Sequence, residues 1–399
     1  MFFVETAEPK TWSDVENPFI MTLLKFIVMR ILKLATALPE KEYSTEKLLS
    51  TFPCQLPEGV RQNVLNLGVS KRHLVEHAAP PEDMSEEGVV SVCSEACEEA
   101  LQKNGLGAGD IGYFVAAYDA NPFLSPGLSH LLVREIGFDP YVSHVNAQGA
   151  ASIAFPKALE LAGNYLAAHP EEYVLICVSG VGSYWFQNQV RGMRDVLEIS
   201  KINAIKDEAK SRFELRKWVA VMEFFLFGDG AAACVVANEG GGLEVEKSVE
   251  VTNVEKDDYL AGYARLATSE EPFMFGFHSH LDKRIPELGV KYSSLALERL
   301  LGKNAAEAMK TVKKWAVHTG SEKILHALAG RNGIRPERIR ESHEVLREYG
   351  NLAGASLPFI LERIVSAGKL EENDAVLMLG YGWGFSASAS LLKSRTHRC

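Results

Sequence analysis

The sequence is short of basic residues, of cysteine and of long uncharged apolar runs. Its 42 Lys and Arg stand against 52 Asp and Glu, which gives a formal net charge of −10 without any long basic run. Phosphate contacts need clustered Lys and Arg, so this balance argues against nucleic-acid binding. Six cysteines at irregular spacing in 399 residues do not make a disulfide framework. We therefore expect a protein of the reducing cytoplasm.

An apolar run near the N-terminus, residues 19–34, is interrupted by Lys25, Arg30 and Lys33. A membrane-spanning helix needs about 20 nearly uncharged apolar residues, and this run also lacks the small-residue cleavage site of a signal peptide. Its helical spacing suits an amphipathic helix against a membrane, a partner or a core. We favour the alternative that the first strand begins near Met29 and that residues 1–28 are an N-terminal extension.

Helical and strand patterns alternate along the rest of the chain, which predicts an α/β fold. The spacing predicts buried strands at 111–117, 173–178, 231–236, 315–317 and 374–379, and helices at 86–103, 152–168, 296–312, 321–330 and 354–367. A turn at Gly240–Gly242 divides the chain into halves at 29–239 and 240–399. Residues 192–217 are highly charged, which favours a solvent-exposed helical insertion in the first half.

Five short motifs suggest where the chemistry lies. They are Leu226-Phe227-Gly-Asp-Gly, Gly276-Phe277-His278, a His318-Thr-Gly320 turn after a strand, Tyr349-Gly350-Asn351, and Gly380-Tyr-Gly-Trp383-Gly384. In this order they resemble the thiolase superfamily, most closely the type III polyketide synthases (chalcone and stilbene synthase-like) and their ketosynthase III relatives. The resemblance implies an αβαβα five-layered fold of two similar halves, each with a mixed five-stranded sheet. It also implies a dimer, either of identical chains or mixed with a homologue.

The same resemblance assigns roles to several residues. His318 and Asn351 match the catalytic His and Asn that donate hydrogen bonds to a thioester carbonyl and to the enolate left by decarboxylation. Phe227 and Phe277 match two gatekeeper phenylalanines at the mouth of the reaction cavity, although either one alone would read as an ordinary core aromatic. Trp383 adds a large ring to the loop that shapes the cavity.

Lys71 and Arg72 occupy positions where relatives place basic residues near the phosphates of coenzyme A, with a surface charge pair as the alternative. No metal site and no cofactor other than a thioester carrier is expected. His278 and His280 have strand spacing without a placed carboxylate, and Cys93 with Cys97 lacks further ligands, so both pairs are interpreted as structural.

The main departure from the family lies in the turn His144-Val-Asn-Ala-Gln148-Gly-Ala-Ala-Ser152. This turn resembles the family's Asn-Ala-Cys-x-Gly-Gly-Thr pattern, with Gln148 in place of the nucleophilic Cys. An amide cannot accept an acyl group as a thiolate does, which excludes covalent catalysis at this position. The Gln148 amide could still donate a hydrogen bond near an oxyanion.

These features leave three functions open. The first is an acyltransferase-family enzyme that decarboxylates a malonyl-type thioester, carried by coenzyme A or by an acyl carrier protein. The second is condensation or acyl transfer between two bound thioesters without a covalent intermediate. The third is a catalytically inactive scaffold paired with a Cys-bearing homologue. We favour the first, because a pure scaffold would need neither His318 nor Asn351.

Overall fold

The computed structural model describes residues 28–76, 87–121, 123, 125–266, 277–302 and 305–395. The predicted N-terminal extension lies outside these residues up to position 27. In the described part of the chain the strands are β1 (Arg30–Ala37), β2 (Glu42–Ser44), β3 (Lys71–His73), β4 (Ile111–Tyr118), β5 (Ser143–Gln148), β6 (Tyr173–Ser179), β7 (Ala231–Ala237), β8 (Gly242–Thr252), β9 (Gly262–Leu266), β10 (Phe277–Leu281), β11 (Lys314–Val317), β12 (Ala375–Gly382) and β13 (Ser386–Arg395).

The helices of the described residues alternate with these strands. They are α1 (Thr45–Thr51), α2 (Glu58–Leu65), α3 (Val89–Asn104), α4 (Leu128–Ile136), α5 (Ala154–Ala168), α6 (Ser183–Val190), α7 (Ile199–Asn203), α8 (Glu208–Leu226), α9 (Ile285–Leu301), α10 (Ala305–Thr311), α11 (Glu322–Asn332), α12 (Arg340–Tyr349) and α13 (Ser356–Ser366). Every strand that the sequence predicted is present, and helix periodicity located α3, α5, α11 and α13 to within a few residues.

Nine strands form one continuous mixed sheet in the order β11-β12-β13-β8-β1-β7-β6-β4-β5. The first half of the chain contributes β1, β4, β5, β6 and β7, and the second half contributes the remaining four. Only the start of β1 pairs with β8, through Arg30 with Glu244 and Ile31 with Leu243. The sheet therefore runs across the turn between β7 and β8, and the division of the chain there stays a prediction.

Three hydrophobic cores show how the layers stack. The central core joins α5 and α13 to strands of both halves, including Ile176 of β6 and Met378 of β12. A second core packs α3 and α4 on the outer face of the first half, and a third packs α9 and α11 on the outer face of the second. Helices thus cover both outer faces and fill the middle, which confirms the predicted αβαβα arrangement.

The prediction of a five-stranded sheet in each half is wrong for the second half, which contributes four of its described strands to the nine-stranded sheet. The segment before Asn351 is the helix α12. Its buried residues Glu341, Ser342, Val345 and Leu346 recur at helical spacing, and such spacing would place them on both faces of a strand.

The charged segment 192–217 is helical, as predicted, but it is not a detached insertion. It forms α7 and the first half of α8, with its charged side chains largely exposed. Met193 and Val196 are 3% exposed and pack in a fourth core with Phe225 of α8. The segment therefore supports the C-terminal end of α8, which leads directly into Phe227.

No helix in the described ranges is long and apolar enough to cross a membrane. The cytoplasmic location stays a prediction.

Candidate active site

His318 follows β11 and is held at the end of a buried strand. Its backbone N–H donates to the carbonyl of Leu379 in β12 at 2.9 Å, and the residue is 2% exposed. Burial lowers the pKa of the imidazole to about 3, and Nδ1 has no hydrogen-bond partner among the described residues. His318 is therefore neutral near pH 7, with one ring N–H to donate and one ring nitrogen to accept.

Tyr381 of β12 fixes the turn that follows His318. Its hydroxyl donates to the carbonyl of His318 at 3.3 Å, and the two rings meet edge to face with centroids 5.3 Å apart. A Cβ at Gly320 would lie 2.4 Å from the Tyr381 hydroxyl oxygen. The small residue of the His-x-Gly turn is thus required by the packing of Tyr381.

Asn351 lies between α12 and a 3-10 turn, Ala353–Ala355, that leads into α13. The residue is 5% exposed, and its Oδ1 accepts a hydrogen bond from the backbone N–H of Ala353 at 2.9 Å. Since an N–H can only donate, this bond fixes which side of the amide carries oxygen. The two donors on Nδ2 then face away from the start of the helix.

Phe227 runs alongside Asn351, because the two residues form a parallel β-bridge. The Phe227 ring is half-buried and stacks on Phe186 of α6, with centroids 4.7 Å apart and planes 17° from parallel. Phe186 is an aromatic partner that the sequence analysis missed, because no motif connects the two segments.

Asp229 anchors the Phe227 loop to α6. Its buried carboxylate accepts from the backbone N–H groups of Val75 at 2.8 Å and of Gly182 and Ser183 at 2.9 Å each, and from the Ser183 hydroxyl. The Asp of the Phe-Gly-Asp-Gly motif is therefore a residue that positions the Phe227 loop.

The turn after β5 brings small residues against the Asn351 segment. The N–H of Ala151 donates to Asp119 Oδ1 at 3.0 Å, and α5 begins at Ala154. A Cβ at Gly354 would lie 2.7 Å from the Ala154 Cβ, and one at Gly382 would lie 3.1 Å from the Ala151 Cβ. The turn after β5, the 3-10 turn at Ala353–Ala355 and the end of β12 are therefore in close contact.

The two halves present matching turns at this contact. In one, a 3-10 turn begins at Ala151 with φ of 46° and leads into α5; in the other, a 3-10 turn begins at Ala353 with φ of 47° and leads into α13. Left-handed backbone at alanine is strained and tends to occur at functional sites. The residue that corresponds to Asn351 in the first half, two positions before the strained alanine, is Gly149.

Gln148 does not share this environment. It is the last residue of β5, which is the edge strand of the sheet, and its side chain is exposed. Within the described residues it makes no hydrogen bond to His318 or Asn351. In the described part of the chain its amide is therefore not buried, and its donation of a hydrogen bond near an oxyanion stays a prediction.

Lys71 and Arg72 are not a free basic pair. Lys71 Nζ lies 2.6 Å from Glu42 Oε2, and this hydrogen bond raises the pKa of the Lys71 ammonium. Arg72 is fully buried and donates from Nη2 to the Thr45 hydroxyl at 2.9 Å. Neither prediction holds for Arg72, since a buried guanidinium can be neither a surface charge nor a contact for a carrier phosphate.

Phe277 is the first residue of β10, which pairs with β9 as a hairpin; its side chain lies outside the described part of the structure. Trp383 lies in the turn between β12 and β13, and its ring packs on Gly262 at the start of β9, where a Cβ would come within 2.8 Å of Trp383 Cδ1. Trp383 therefore supports the hairpin that carries Phe277.

Glu223 is a buried carboxyl that the sequence analysis missed. It lies one helical turn before Phe227, whose N–H donates to the Glu223 carbonyl at 3.0 Å, and the Ser279 hydroxyl of β10 donates to its Oε2. Burial raises the pKa of Glu223 to about 8, and Oε1 has no partner among the described residues. Near pH 7 this group carries its proton.

No described cysteine has the environment of an activated nucleophile. Cys93, Cys97, Cys177 and Cys234 are buried, and Cys54 is half-buried. Burial raises the pKa of Cys54, Cys97 and Cys234, which keeps these thiols protonated and unreactive.

Comparison with known proteins agrees with this geometry. Residues 303–394 match the C-terminal domain of 3-oxoacyl-[acyl-carrier-protein] synthase III. The chain is 29% identical over 350 residues to 1,3,6,8-tetrahydroxynaphthalene synthase of Streptomyces coelicolor, covering 84% of this chain and 83% of the relative. It is 24% identical over 382 residues to 3,5-dihydroxyphenylacetyl-CoA synthase of Amycolatopsis balhimycina, covering 92% and 93%.

Solved structures give the same picture. The crystal structure of the Streptomyces coelicolor tetrahydroxynaphthalene synthase, a bacterial type III polyketide synthase, matches 92% of this chain and 100% of its own with a TM-score of 0.70 at 25% identity. The C-terminal type III polyketide synthase domain of Steely1 from Dictyostelium matches in fold, with a TM-score of 0.72 at 19% identity over 92% and 100% of the two chains.

Proposed function

Because this chain is a thiolase-superfamily protein of the type III polyketide synthase and ketosynthase III kind, we propose that it decarboxylates a malonyl-type thioester without a covalent acyl-cysteine intermediate. One observation carries the proposal. A neutral, buried His318 and an Asn351 of fixed amide orientation are retained on a chain whose described cysteines are not activated.

The proposed reaction needs charge stabilisation more than it needs a nucleophile. The bond between the malonyl α-carbon and its carboxylate breaks, CO₂ leaves, and the electron pair moves onto the thioester as an enolate. Water then gives a proton to the α-carbon, which yields the acetyl thioester and hydroxide, and the hydroxide is neutralised by the solvent. The His318 imidazole and the Asn351 amide donate to the enolate oxygen, and each such donor lowers the barrier by about 3–4 kcal/mol.

A charged imidazolium is not needed for this role. A buried neutral imidazole keeps a fixed N–H donor and adds no positive charge that would hold the carboxylate back from leaving. The low pKa of His318 supports this protonation state throughout the neutral range.

We propose that two copies, or one copy and a homologue, pair along β5. This strand ends the sheet, and Tyr141 beside it is 92% exposed. An uncovered strand edge with a large exposed aromatic is a pairing surface. A partner strand would also cover Gln148.

The experiment is incubation of the purified full chain with malonyl-CoA, and separately with a malonyl-acyl carrier protein, with detection of the acetyl thioester by mass spectrometry. His318→Ala should abolish conversion. His169→Ala is the matched control, because that histidine is exposed at the end of α5, where it pairs with Glu172 and stacks on Tyr165.

The other functions predict different results. A longer product that forms only when an acyl donor is added with the malonyl donor would indicate non-covalent condensation. No turnover with either carrier, together with co-purification of a Cys-bearing homologue, would indicate a scaffold. Conversion that His318→Ala leaves unchanged would overturn the proposed role of His318.

A further inference from the structure

Outside the candidate active site, α11 and α12 bring one carboxylate and two imidazoles together. His326 Nε2 lies 3.0 Å from Glu322 Oε1, and His343 Nδ1 lies 3.0 Å from both carboxylate oxygens of Glu322. The two imidazole rings have centroids 5.1 Å apart. One ligand atom from each of the three residues lies within 4.8 Å of the other two.

Local structure holds these groups in place. Glu322 and His326 are separated by one turn of α11, a spacing that puts them on the same face. The Ser321 side chain caps this helix by accepting from the N–H of Ile324 at 3.4 Å, and the N–H of Glu322 donates to the carbonyl of Leu67 at 3.3 Å. These contacts fix the backbone of Glu322 and thereby the place from which its carboxylate extends.

We propose that Glu322, His326 and His343 bind a divalent transition-metal ion, with Zn²⁺ as the ion that best suits them. Two imidazoles and one carboxylate are typical ligands of Zn²⁺ and are poor ligands for Ca²⁺ or Mg²⁺. Tetrahedral Zn²⁺ with bonds of about 2.0–2.2 Å holds its ligand atoms about 3.3–3.6 Å apart, so the observed 3.0 Å contacts need only a small opening.

The cluster has a route for the ion and room for a fourth ligand. The His326 side chain is 69% exposed, whereas the His343 and Glu322 side chains are 21% and 33% exposed. The ion can therefore enter from solvent past His326, and water fills the remaining coordination position. His343 and Glu322 lie deeper than His326, so they would hold the ion on its protein side and leave its other side open to solvent.

The cluster lies close in sequence to the two proposed catalytic residues, so a metal bound there would affect the segments that carry them. Glu322 comes four residues after His318, and His343 lies on the helix that ends just before Gly350 and Asn351. A bound ion would join the segments that carry the two proposed catalytic side chains. This inference does not depend on the proposed reaction.

Thermal unfolding of the full chain, first treated with a chelator and then titrated with Zn²⁺, tests the site. At a concentration of about 100 times the dissociation constant, Zn²⁺ should raise the unfolding temperature by about 3 °C. His326→Gln and His343→Gln should each reduce this rise to less than about 1 °C. His169→Ala should leave it unchanged, since the His169–Glu172 pair lacks a third ligand.

Co²⁺ provides a second readout that does not depend on stability. Bound Co²⁺ should give visible absorption bands that disappear in His326→Gln and that Zn²⁺ displaces at one equivalent. A Zn²⁺ effect of equal size in all the variants would place the ion elsewhere on the chain and overturn the proposal. No change in unfolding temperature and no Co²⁺ bands would overturn it as well.

Discussion

Asn351 and Phe227, from opposite halves of the chain, lie side by side in a two-residue parallel bridge. The N–H of Asn351 donates to the Leu226 carbonyl at 2.9 Å, and the N–H of Gly228 donates to the Asn351 carbonyl at 3.2 Å. The proposed hydrogen-bond donor and the proposed gatekeeper thus share one backbone contact. A shift of either segment would move both.

Replacement of Asn351 by Asp separates its two roles. Asp retains an oxygen that accepts from the Ala353 N–H and loses the amide donors, so decarboxylation should fall about 100-fold or more while the unfolding temperature changes by less than about 2 °C. Asn351→Ala should lose activity and also about 1 kcal/mol of stability, because the turn loses its cap. Steady-state kinetics and calorimetry on both variants check this. Full activity in Asn351→Asp would contradict the donor role.

His318 should make the fold less stable in acid. Its pKa is 6.5 in the unfolded chain and about 3 in the folded chain, so below pH 6.5 the unfolded state binds the extra proton. Its contribution is complete above pH 6.5 and is lost as the pH falls toward 3, by about 1.4 kcal/mol per pH unit. The free energy of unfolding, measured with urea, should fall between pH 6.5 and pH 5 by about 2 kcal/mol more in the native protein than in His318→Gln. Equal losses would show that the imidazole is not buried in its neutral form.

Glu223 should have the opposite pH dependence. Its pKa is 4.5 in the unfolded chain and about 8 in the folded chain, so between these values the folded state holds the extra proton. Stability from this group is complete below pH 4.5 and is lost as the pH rises toward 8. Glu223→Gln keeps a neutral group beside Ser279. Its free energy of unfolding should therefore fall less from pH 5 to pH 8 than that of the native protein. Glu98→Gln, on the exposed side of α3, should behave like native protein.

A cysteine scan should identify the turn position that faces the substrate. Ala150 is half-buried, caps the 3-10 turn that leads into α5 and packs against the central core, whereas Gln148 is exposed. A thiol at the start of a helix has a lowered pKa, so Ala150→Cys should form an acyl adduct with acetyl-CoA and Gln148→Cys should not. Intact-protein mass spectrometry measures the adduct. Acylation at 148 alone would restore Gln148 as the position equivalent to the family's nucleophile.

The position of β5 at the edge of the sheet in the described residues predicts assembly. Native protein should elute as a dimer in light-scattering chromatography, and Tyr141→Asp should shift it toward monomer by placing a charge beside the edge strand. Tyr259→Asp is the control, since Tyr259 is 47% exposed and lies in the 3-10 turn Asp258–Ala261 before β9, which belongs to a different sheet from β5. A native monomer would rule out pairing at this edge.

The sequence predicted those features that depend on local periodicity. The helical spacing at 86–103 located α3, and the apolar runs located β4, β6 and β7, because burial on one helix face or within a strand leaves a direct record in residue spacing. The order of the motifs identified the family and led to His318 and Asn351.

What escaped prediction depends on contacts between distant segments. Arg72 lies in a polar stretch of sequence but is buried, and the loop at Gly228 packs close to it: a Cβ at Gly228 would lie 3.1 Å from the Arg72 Cβ. The segment of α12 has few large apolar residues, so its helix was not recognised. Glu223 and Ser279 are far apart in sequence, and so are Glu322 and His343, which means that neither pair leaves a local pattern.

The contact of Gly354 and Gly382 with Ala154 and Ala151 limits how this scaffold can be altered. Because a methyl group would clash at Gly354 and would be tightly packed at Gly382, substitutions there would push the two halves apart before they changed the choice of substrate. The hairpin of β9 and β10, supported by Trp383, is not tied into the nine-stranded sheet. Redesign toward bulkier acyl groups should therefore begin with Trp383 and this hairpin, and leave the junction of the halves intact.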